Sequence, residues 1–292
     1  MRSGDDPIAQ LRDPGFVLLP AFFSPDEIDA AREGLWEEYP RPEQYFADPS
    51  AYPQYSTDQF AGLRQFPYHA HALNRLAFHP RLVELAERFL GSPDLELYQI
   101  DLWAKYAGAI DYDQPLHRDY GWRSLVVPRA DGWRPQISVF ILLSDVTADD
   151  GPTRIVAWPR DPNGSLADLS VERDDLAEAE ISMAGPAGTV LIFRTDVLHR
   201  GSNLVGPGRS RFVLIAGYQE RGLPWAGGAT WSEHGQRPRF REVLEQATPR
   251  ERALFGFPPV GHEYWNEQTL RDVAARYPAM DMTPYREGVA AR

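Results

Sequence analysis

The segment DQPLHRDYGW, residues 113–122, contains a histidine and an aspartate separated by one residue. In an extended chain, residues i and i+2 point to the same side. His117 and Asp119 could therefore offer an imidazole nitrogen and a carboxylate oxygen to one metal ion. The triplet alone does not separate a pair of metal ligands from two unrelated polar side chains, so the rest of the sequence has to decide.

A further histidine follows a second strand-like run. His199 comes shortly after the apolar segment TVLIF, residues 189–193, at the predicted edge of a strand. Two histidines and one carboxylate form a facial triad, which leaves open positions on an octahedral Fe(II) for a bidentate 2-oxo acid and dioxygen. The same three side chains would also suit a zinc ion with an open position, as in a hydrolase.

Arg211 begins the next apolar run, RFVLIAGY. A planar guanidinium binds a carboxylate through two parallel hydrogen bonds, so a buried arginine suits the distant carboxylate of a 2-oxo acid. We expect Arg211 to lie on a strand that neighbours the strand of His199.

Composition excludes several classes of site and partner. The 292 residues include no cysteine, which rules out thiolate metal sites, disulfides and a cysteine nucleophile. A formal net charge of -12 disfavours binding to nucleic acid or anionic lipid. The sequence shows neither a signal peptide nor a window of roughly 18 apolar residues. We therefore expect a cytoplasmic protein with no membrane partner and no nucleic-acid partner, whose oligomeric state the sequence does not indicate.

The elements that must position these side chains are helical first and then mainly β. Ser24, Pro25 and Glu27 predict a capped helix start, and the run HPRLVELAERFLGS predicts a second amphipathic helix that ends at Gly91. Four later runs rich in Val, Ile, Leu and Phe predict strands. They are LELYQIDLWAKYAG, QISVFILLSD, AGTVLIFRTD and RSRFVLIAGYQ.

Irregular loops, rather than regular helices, join these predicted strands. This pattern argues against a βαβ fold and favours an antiparallel sandwich or jelly roll. We expect one domain over residues 1–292. It would comprise a helical part over about 1–93, a β core over about 94–222 and a C-terminal extension over about 223–292.

Several ordered segments together resemble the phytanoyl-CoA dioxygenase family of Fe(II)/2-oxoglutarate-dependent oxygenases. They are GFVLLPAFFSPDEIDAAR, HPRLVELAERFLGSPDLEL, QPLHRD, DDGPTRIVAWP, HRGSN with RFVL, and FGFPPVGHEYW. The resemblance runs from about Gly15 to Tyr285. It implies a mainly β protein with flanking helices and a double-stranded β-helix (jelly roll, cupin-like) core. It also implies Fe(II) held by His117, Asp119 and His199, with 2-oxoglutarate and dioxygen as co-substrates.

The resemblance also implies residues that bind 2-oxoglutarate. Both Arg209 and Arg211 lie near the family's offset for the arginine that pairs with the distal carboxylate, and Arg211 is preferred because it begins RFVL. Gln114 and Thr153 match positions that contact 2-oxoglutarate in relatives.

Aromatic and basic residues near the motifs are candidates for substrate contact. The aromatic candidates for the substrate pocket are Tyr120, Trp122 and Trp133. Five arginines that flank the motifs hint at an anionic substrate group or acyl carrier: Arg118, Arg123, Arg154, Arg160 and Arg200. The segment AWPRD, residues 157–161, departs from the family's PGSH, so no substrate preference transfers.

The expected activity is hydroxylation of an unactivated C–H bond in a small organic molecule, with release of succinate and carbon dioxide. The substrate could be a secondary metabolite, an amino-acid derivative or an acyl compound. The carboxylate at Asp119 argues against halogenation, since halogenating relatives carry a small residue there. The alternatives are a non-catalytic small-molecule-binding β-barrel and a zinc-dependent hydrolase.

Overall fold

The computed structural model describes residues 6–126, 135–157, 170–171, 174–228, 231–235 and 237–291. The α-helices in these ranges are α1 (Pro7–Arg12), α2 (Pro25–Leu35), α3 (Pro42–Ala47), α4 (His71–Leu76), α5 (Pro80–Leu90), α6 (Pro238–Gln246), α7 (Pro249–Leu254), α8 (Glu267–Arg276) and α9 (Thr283–Ala290). The strands are β1 (Phe16–Leu19), β2 (Leu63–Gln65), β3 (Leu95–Tyr106), β4 (Leu116–His117), β5 (Gln136–Leu142), β6 (Thr153–Val156), β7 (Ser170–Val171), β8 (Glu180–Met183), β9 (Val190–Arg194), β10 (His199–Gly201) and β11 (Ser210–Glu220). Within these ranges, every helix is too short or too polar to cross a bilayer.

The strands form two antiparallel sheets. The large sheet has the order β1-β9-β5-β11-β3-β2, and the small sheet has the order β7-β4-β10-β6-β8. Apolar side chains of the two sheets pack together, with Ile155 of β6 and Met183 of β8 in one cluster with Leu191 and Phe193 of β9. The expected fold, a jelly-roll core with flanking helices, is confirmed.

The large sheet is buried on both faces. On β11, Phe212 and Leu214 belong to the main hydrophobic core with the helices, whereas Val213 and Ile215 line a cavity on the opposite face, between the sheets. Successive side chains of a strand point to opposite faces. A strand buried on both sides reads as a continuous apolar run, which explains why the strand segments are so clear in the sequence.

The helix signals in the sequence have the expected local structure. The Ser24 hydroxyl accepts a hydrogen bond from the Glu27 backbone N–H at 3.3 Å, and the Glu27 carboxylate accepts one from the Ser24 N–H at 2.8 Å. The second predicted helix, α5, ends at Gly91, which adopts a left-handed conformation with φ 75°. Both helix predictions are confirmed.

The residues after position 223 pack against the outer face of the large sheet. Phe240 of α6 and Leu254 of α7 lie in the same core cluster as Ile100 of β3. The Trp231 indole N–H donates to the Leu97 carbonyl of β3 at 2.6 Å. This segment therefore supports the strand that forms one wall of the cavity.

The two-faced sheet yields a stability prediction. Ile141 of β5 is fully buried in the main core, whereas Ile181 of β8 is 44% exposed. We expect Ile141→Ala to lower the free energy of unfolding by about 2–5 kcal/mol, because it removes buried methyl groups and leaves a cavity. The matched variant Ile181→Ala should change it by about 0.5 kcal/mol or less. Urea titration followed by circular dichroism measures both, and equal losses would contradict this packing.

Candidate metal centre and its cavity

Strand pairing brings the two histidines together. β4 and β10 are antiparallel neighbours in which His199 lies directly opposite His117, and the two ring centroids are 4.4 Å apart. Asp119 follows β4 at the start of a 3₁₀ helix, Asp119–Trp122. Its Oδ1 lies 3.8 Å from Nε2 of His117 and 3.6 Å from Nε2 of His199. In the described part of the chain, these are the only His, Asp and Glu side chains placed closely enough to share an ion as a group of three or more.

Backbone carbonyls set the orientation of both rings. Nδ1 of His117 is 2.9 Å from the Pro115 carbonyl, and Nδ1 of His199 is 3.2 Å from the Val197 carbonyl. A carbonyl can only accept, so each Nδ1 carries the proton and donates it. Each Nε2 then presents its lone pair toward Asp119, as a histidine ligand to a metal requires.

The charge states of the three groups suit a metal ion. Burial lowers the pKa of His199 to about 4, against the opposing charge of Asp119, so this imidazole is neutral at neutral pH. Burial opposes ionisation of Asp119, but the neighbouring His199, His117 and Arg123 charges and a hydrogen bond outweigh it and lower its pKa. That bond comes from the Ser138 hydroxyl of β5, which donates to Asp119 Oδ2 at 3.0 Å and leaves Oδ1 facing the histidines. Metal binding requires a neutral imidazole and an ionised carboxylate.

The triad forms part of the wall of a cavity of about 460 Å³ between the two sheets. This volume lies within the range of small-molecule sites. Much of the wall is apolar: Phe60, Leu63, Trp103, Phe140, Val213 and Ile215. Polar atoms of Gln99, Asp101 and Arg123 interrupt it.

Arg211 lies in the wall of the same cavity, and Arg209 does not. The Arg211 side chain is buried, and its Nη1 has no hydrogen-bond partner among the described residues. Burial lowers its pKa to about 10, so it is still charged at neutral pH. Arg209, by contrast, pairs with Asp150 at 2.8 Å and Asp149 at 3.2 Å.

The expectation that Arg211 lies on a strand next to that of His199 is wrong. β11 pairs with β3 and β5 in the large sheet, whereas β10 pairs with β4 and β6 in the small sheet. The connection between β10 and β11 crosses from one sheet to the other. Arg211 therefore faces the histidines across the cavity.

Gln114 and Thr153 also line the cavity, beside the triad. The Gln114 side-chain oxygen accepts from the Gly201 backbone N–H at 2.8 Å. A Cβ at Gly201 would lie 2.8 Å from that oxygen, so a larger residue there would displace the Gln114 amide. Thr153 of β6 pairs with Gly201 of β10 in the strand register, which places it near the same point.

The three aromatic pocket candidates fare differently. Tyr120 is buried, its backbone N–H donates to the Thr195 carbonyl at 2.8 Å, and it is not part of the cavity wall. Trp133 lies outside the described residues, and of Trp122 only the backbone is described. Pocket roles for these tryptophans stay predictions. The tryptophan found in the wall is Trp103, which the alternation of β3 would have placed inward once the register was known.

Most of the described flanking arginines contact partners outside the cavity wall. Arg200 pairs with Glu180 at 3.0 Å and Asp113 at 3.1 Å, and Arg154 lies 3.6 Å from Glu180. The buried Arg118 donates to the Asp196 carbonyl at 3.1 Å. Arg160 lies outside the described residues. Of the four described, only Arg123 reaches the cavity wall.

Comparison with known proteins identifies the family. The sequence pattern of the phytanoyl-CoA dioxygenase (PhyH) family matches residues 11–213, so the chain belongs to this family and the resemblance is confirmed. No curated protein matches the sequence.

Solved structures support the fold. The non-heme alpha-ketoglutarate-dependent carbocyclase SnoK from nogalamycin biosynthesis is 16% identical with a TM-score of 0.53, covering 78% of this chain and 88% of that chain. The epimerase SnoN, in complex with Fe3+, alpha ketoglutarate and nogalamycin RO, is 18% identical with a TM-score of 0.50, covering 73% and 82%.

The hydrogen bond to Asp119 yields a prediction about metal affinity. Ser138→Ala removes the donor that orients this carboxylate, and loss of such an outer contact typically weakens metal binding by about 10- to 100-fold. Ser202→Ala is a matched control, because its buried hydroxyl donates to the Pro152 carbonyl and touches none of the triad. Competition with a chromophoric chelator for Zn(II) or Co(II) measures both. Equal affinity in the two variants would show that Ser138 does not support the site.

Proposed function

We propose that the protein is an Fe(II)- and 2-oxoglutarate-dependent oxygenase that hydroxylates an unactivated C–H bond of a small organic molecule, releasing succinate and carbon dioxide. One observation carries this proposal. A His–Asp–His group on one sheet faces, across a single cavity, a buried arginine on the other sheet with an unpaired nitrogen.

The donor set fits Fe(II). Two imidazole nitrogens and one carboxylate oxygen converge, with the cavity on their open side. This is the facial arrangement found in non-haem iron oxygenases. When bound, the iron would activate dioxygen for oxidative decarboxylation of the 2-oxo acid and oxidation of the substrate. The protein holds Nε2 of His117 and His199 and Oδ1 of Asp119 in place, through the Nδ1 and Ser138 hydrogen bonds.

The opposite wall fits a dicarboxylic 2-oxo acid. The Arg211 guanidinium can bind the distal carboxylate through two hydrogen bonds, which would satisfy its unpaired Nη1. Gln114 and Thr153 line the same cavity, where they can orient the acid. The distal carboxylate would in turn compensate a buried positive charge, which is costly when it has no partner.

The rest of the cavity suits a largely apolar substrate. Phe60, Leu63 and Phe140 exclude water and fix the position of a carbon atom relative to the triad, while Asp101 and Arg123 offer polar contacts. Holding the reacting atoms in place is the main contribution that a protein makes to such chemistry. A dry pocket also limits side reactions.

The two alternatives account for less of the site. A non-catalytic binding barrel has no need for the Nδ1 hydrogen bonds that turn two Nε2 lone pairs toward one carboxylate. A zinc-dependent hydrolase has no need for a buried arginine on the opposite wall. Elemental analysis for iron and zinc, together with oxygen consumption, separates the three functions.

Arg211 yields a prediction about co-substrate binding. With Fe(II) bound under anaerobic conditions, 2-oxoglutarate should produce a weak visible charge-transfer band, which can be titrated. We expect Arg211→Met to weaken 2-oxoglutarate binding by about 100-fold, because a charge-assisted pair of hydrogen bonds is lost. Arg209→Met is the matched control and should bind as the wild type does. Tight binding in Arg211→Met would refute the assignment of this anchor.

Asp119 yields a prediction about activity. In a screen of pooled small molecules, active pools should stimulate succinate release and oxygen consumption by the iron-loaded protein. Asp119→Ala should abolish both, since the carboxylate ligand is removed, whereas Asp111→Ala should retain them because this exposed residue lies outside the cavity wall. Full activity in Asp119→Ala would mean that the triad is not the reaction centre.

A further inference from the structure

The chain contains a single lysine. Of its 30 basic residues, only Lys105 is not arginine. It lies on β3 and is 9% exposed, so its side chain is buried. Lysine differs from arginine in that it can lose its proton when buried.

Lys105 lies beside Arg211. The two residues are paired in the register of β3 and β11, so their side chains leave the large sheet on the same face, toward the cavity side. The Lys105 ammonium is 4.9 Å from the centroid of the Trp103 ring and 4.9 Å from that of Tyr112. The Arg211 guanidinium is 5.8 Å from the same Trp103 ring. Like charges placed opposite each other in a sheet are destabilising.

No protein carboxylate among the described residues forms an ion pair with either of these two side chains. Lys105 and Arg211 have no ion pair within 4.0 Å there. Asp113, the carboxylate whose charge raises the pKa of Lys105, pairs with Arg200 at 3.1 Å. Two polar atoms around the pair are also buried with no described hydrogen-bond partner: Arg211 Nη1 and Trp103 Nε1. Such a cluster is costly unless an anion binds to it.

We propose that Lys105 is a positioning residue for the co-substrate. Its ammonium lies behind Arg211 and supplies a second positive charge, which helps Arg211 to hold the distal carboxylate. This inference rests on the proposed function, since the ligand is the 2-oxo dicarboxylic acid. Lys105 lines a small adjoining cavity of about 20 Å³, which it shares with Gln59 and Tyr112. Gln59 also lines the main cavity, so the two spaces meet there. Lys105 acts through Arg211 and this shared boundary rather than as part of the main wall.

Co-substrate binding is then coupled to protonation of Lys105. Burial, and next the Arg211 charge, lower the pKa of Lys105 to about 7, while Asp113 raises it. A bound carboxylate adds attraction and offsets the Arg211 repulsion, so it favours the ammonium and raises this pKa. Between about pH 7 and the raised pKa of Lys105 in the complex, binding takes up a proton, and affinity falls as the pH rises. Well below that value Lys105 is already charged, and this group adds no pH dependence.

The other titratable groups around Lys105 do not share this behaviour. Tyr55, Tyr106 and Tyr112 line the small cavity, and burial raises the pKa of each. They are therefore uncharged at neutral pH. Asp58 also lines it, and its carboxylate accepts a hydrogen bond from the Phe60 N–H at 2.7 Å.

The single lysine allows a direct test on the wild-type chain. Protein prepared with lysine isotopically labelled at the ε carbon, and loaded with Zn(II) as a diamagnetic replacement, should show one lysine signal by NMR. We expect the signal to titrate with a midpoint at about 7 without ligand. The midpoint should move up by about one pH unit or more with saturating 2-oxoglutarate, which corresponds to about 10-fold tighter binding to the charged form. A midpoint that 2-oxoglutarate leaves unchanged would overturn the proposal.

Two variants test the same point by calorimetry on the Zn(II)-loaded protein. Lys105→Met should weaken 2-oxoglutarate binding by about 10-fold or more below neutral pH, because a nearby buried positive charge is lost. It should also remove the pH dependence assigned to Lys105. Lys105→Arg should retain the affinity but not the pH dependence, because arginine stays protonated. As a ligand control, 2-oxobutanoate lacks the distal carboxylate and should bind Lys105→Met and wild type equally.

The outcomes distinguish this inference from the proposed function. If the metal-loaded wild type binds no 2-oxoglutarate, both fail. If it binds, and Arg211→Met abolishes binding while Lys105→Met does not weaken it, only the role of Lys105 fails. If Lys105→Met does not fold, the NMR titration of the wild type still decides.

Discussion

The antiparallel pairing of β4 with β10 sets His117 opposite His199, and the rest of the site is arranged around this contact. The backbone carbonyls of Pro115 and Val197, two residues before each histidine, fix the rings, so the strands that carry the ligands also orient them. Asp119 follows β4 immediately and closes the group. The imidazole donor atoms are thus held by local chain geometry and one strand pairing, whereas Asp119 also depends on Ser138 of the large sheet.

The large sheet links stability to chemistry. Its outer face packs on the helices, and its inner face provides Trp103 and Arg211 to the cavity and Ser138 to Asp119. A change in the register of β11 by one residue would exchange these faces and place Arg211 in the helical core. The extensive packing of the outer face therefore also holds the polar residues of the inner face in place.

Charge is distributed unevenly across the cavity. The triad places a carboxylate and two imidazoles beside the small sheet, whereas Arg211 and Lys105 place two basic side chains on the large sheet. In a protein with a formal net charge of -12, this buried pair is a local exception. An elongated acid with its chelating end at a metal and its carboxylate end at Arg211 matches this separation.

The sequence by itself identified the spaced pair His117 and Asp119, His199 at the end of an apolar run, the capped helices and the strand segments, because each of these features depends on residues close together along the chain or on an apolar run of strand length. Family resemblance added Gln114, Thr153 and the choice of Arg211, all of which line the cavity. Only the tertiary structure decided that Arg211 faces His199 across the cavity rather than from a neighbouring strand. The same holds for the exclusion of Tyr120 from the wall and for the contact of Lys105 with Trp103. The physical reason is that long-range pairing assigns each strand to a sheet, and neither that assignment nor the register is encoded in any single apolar run.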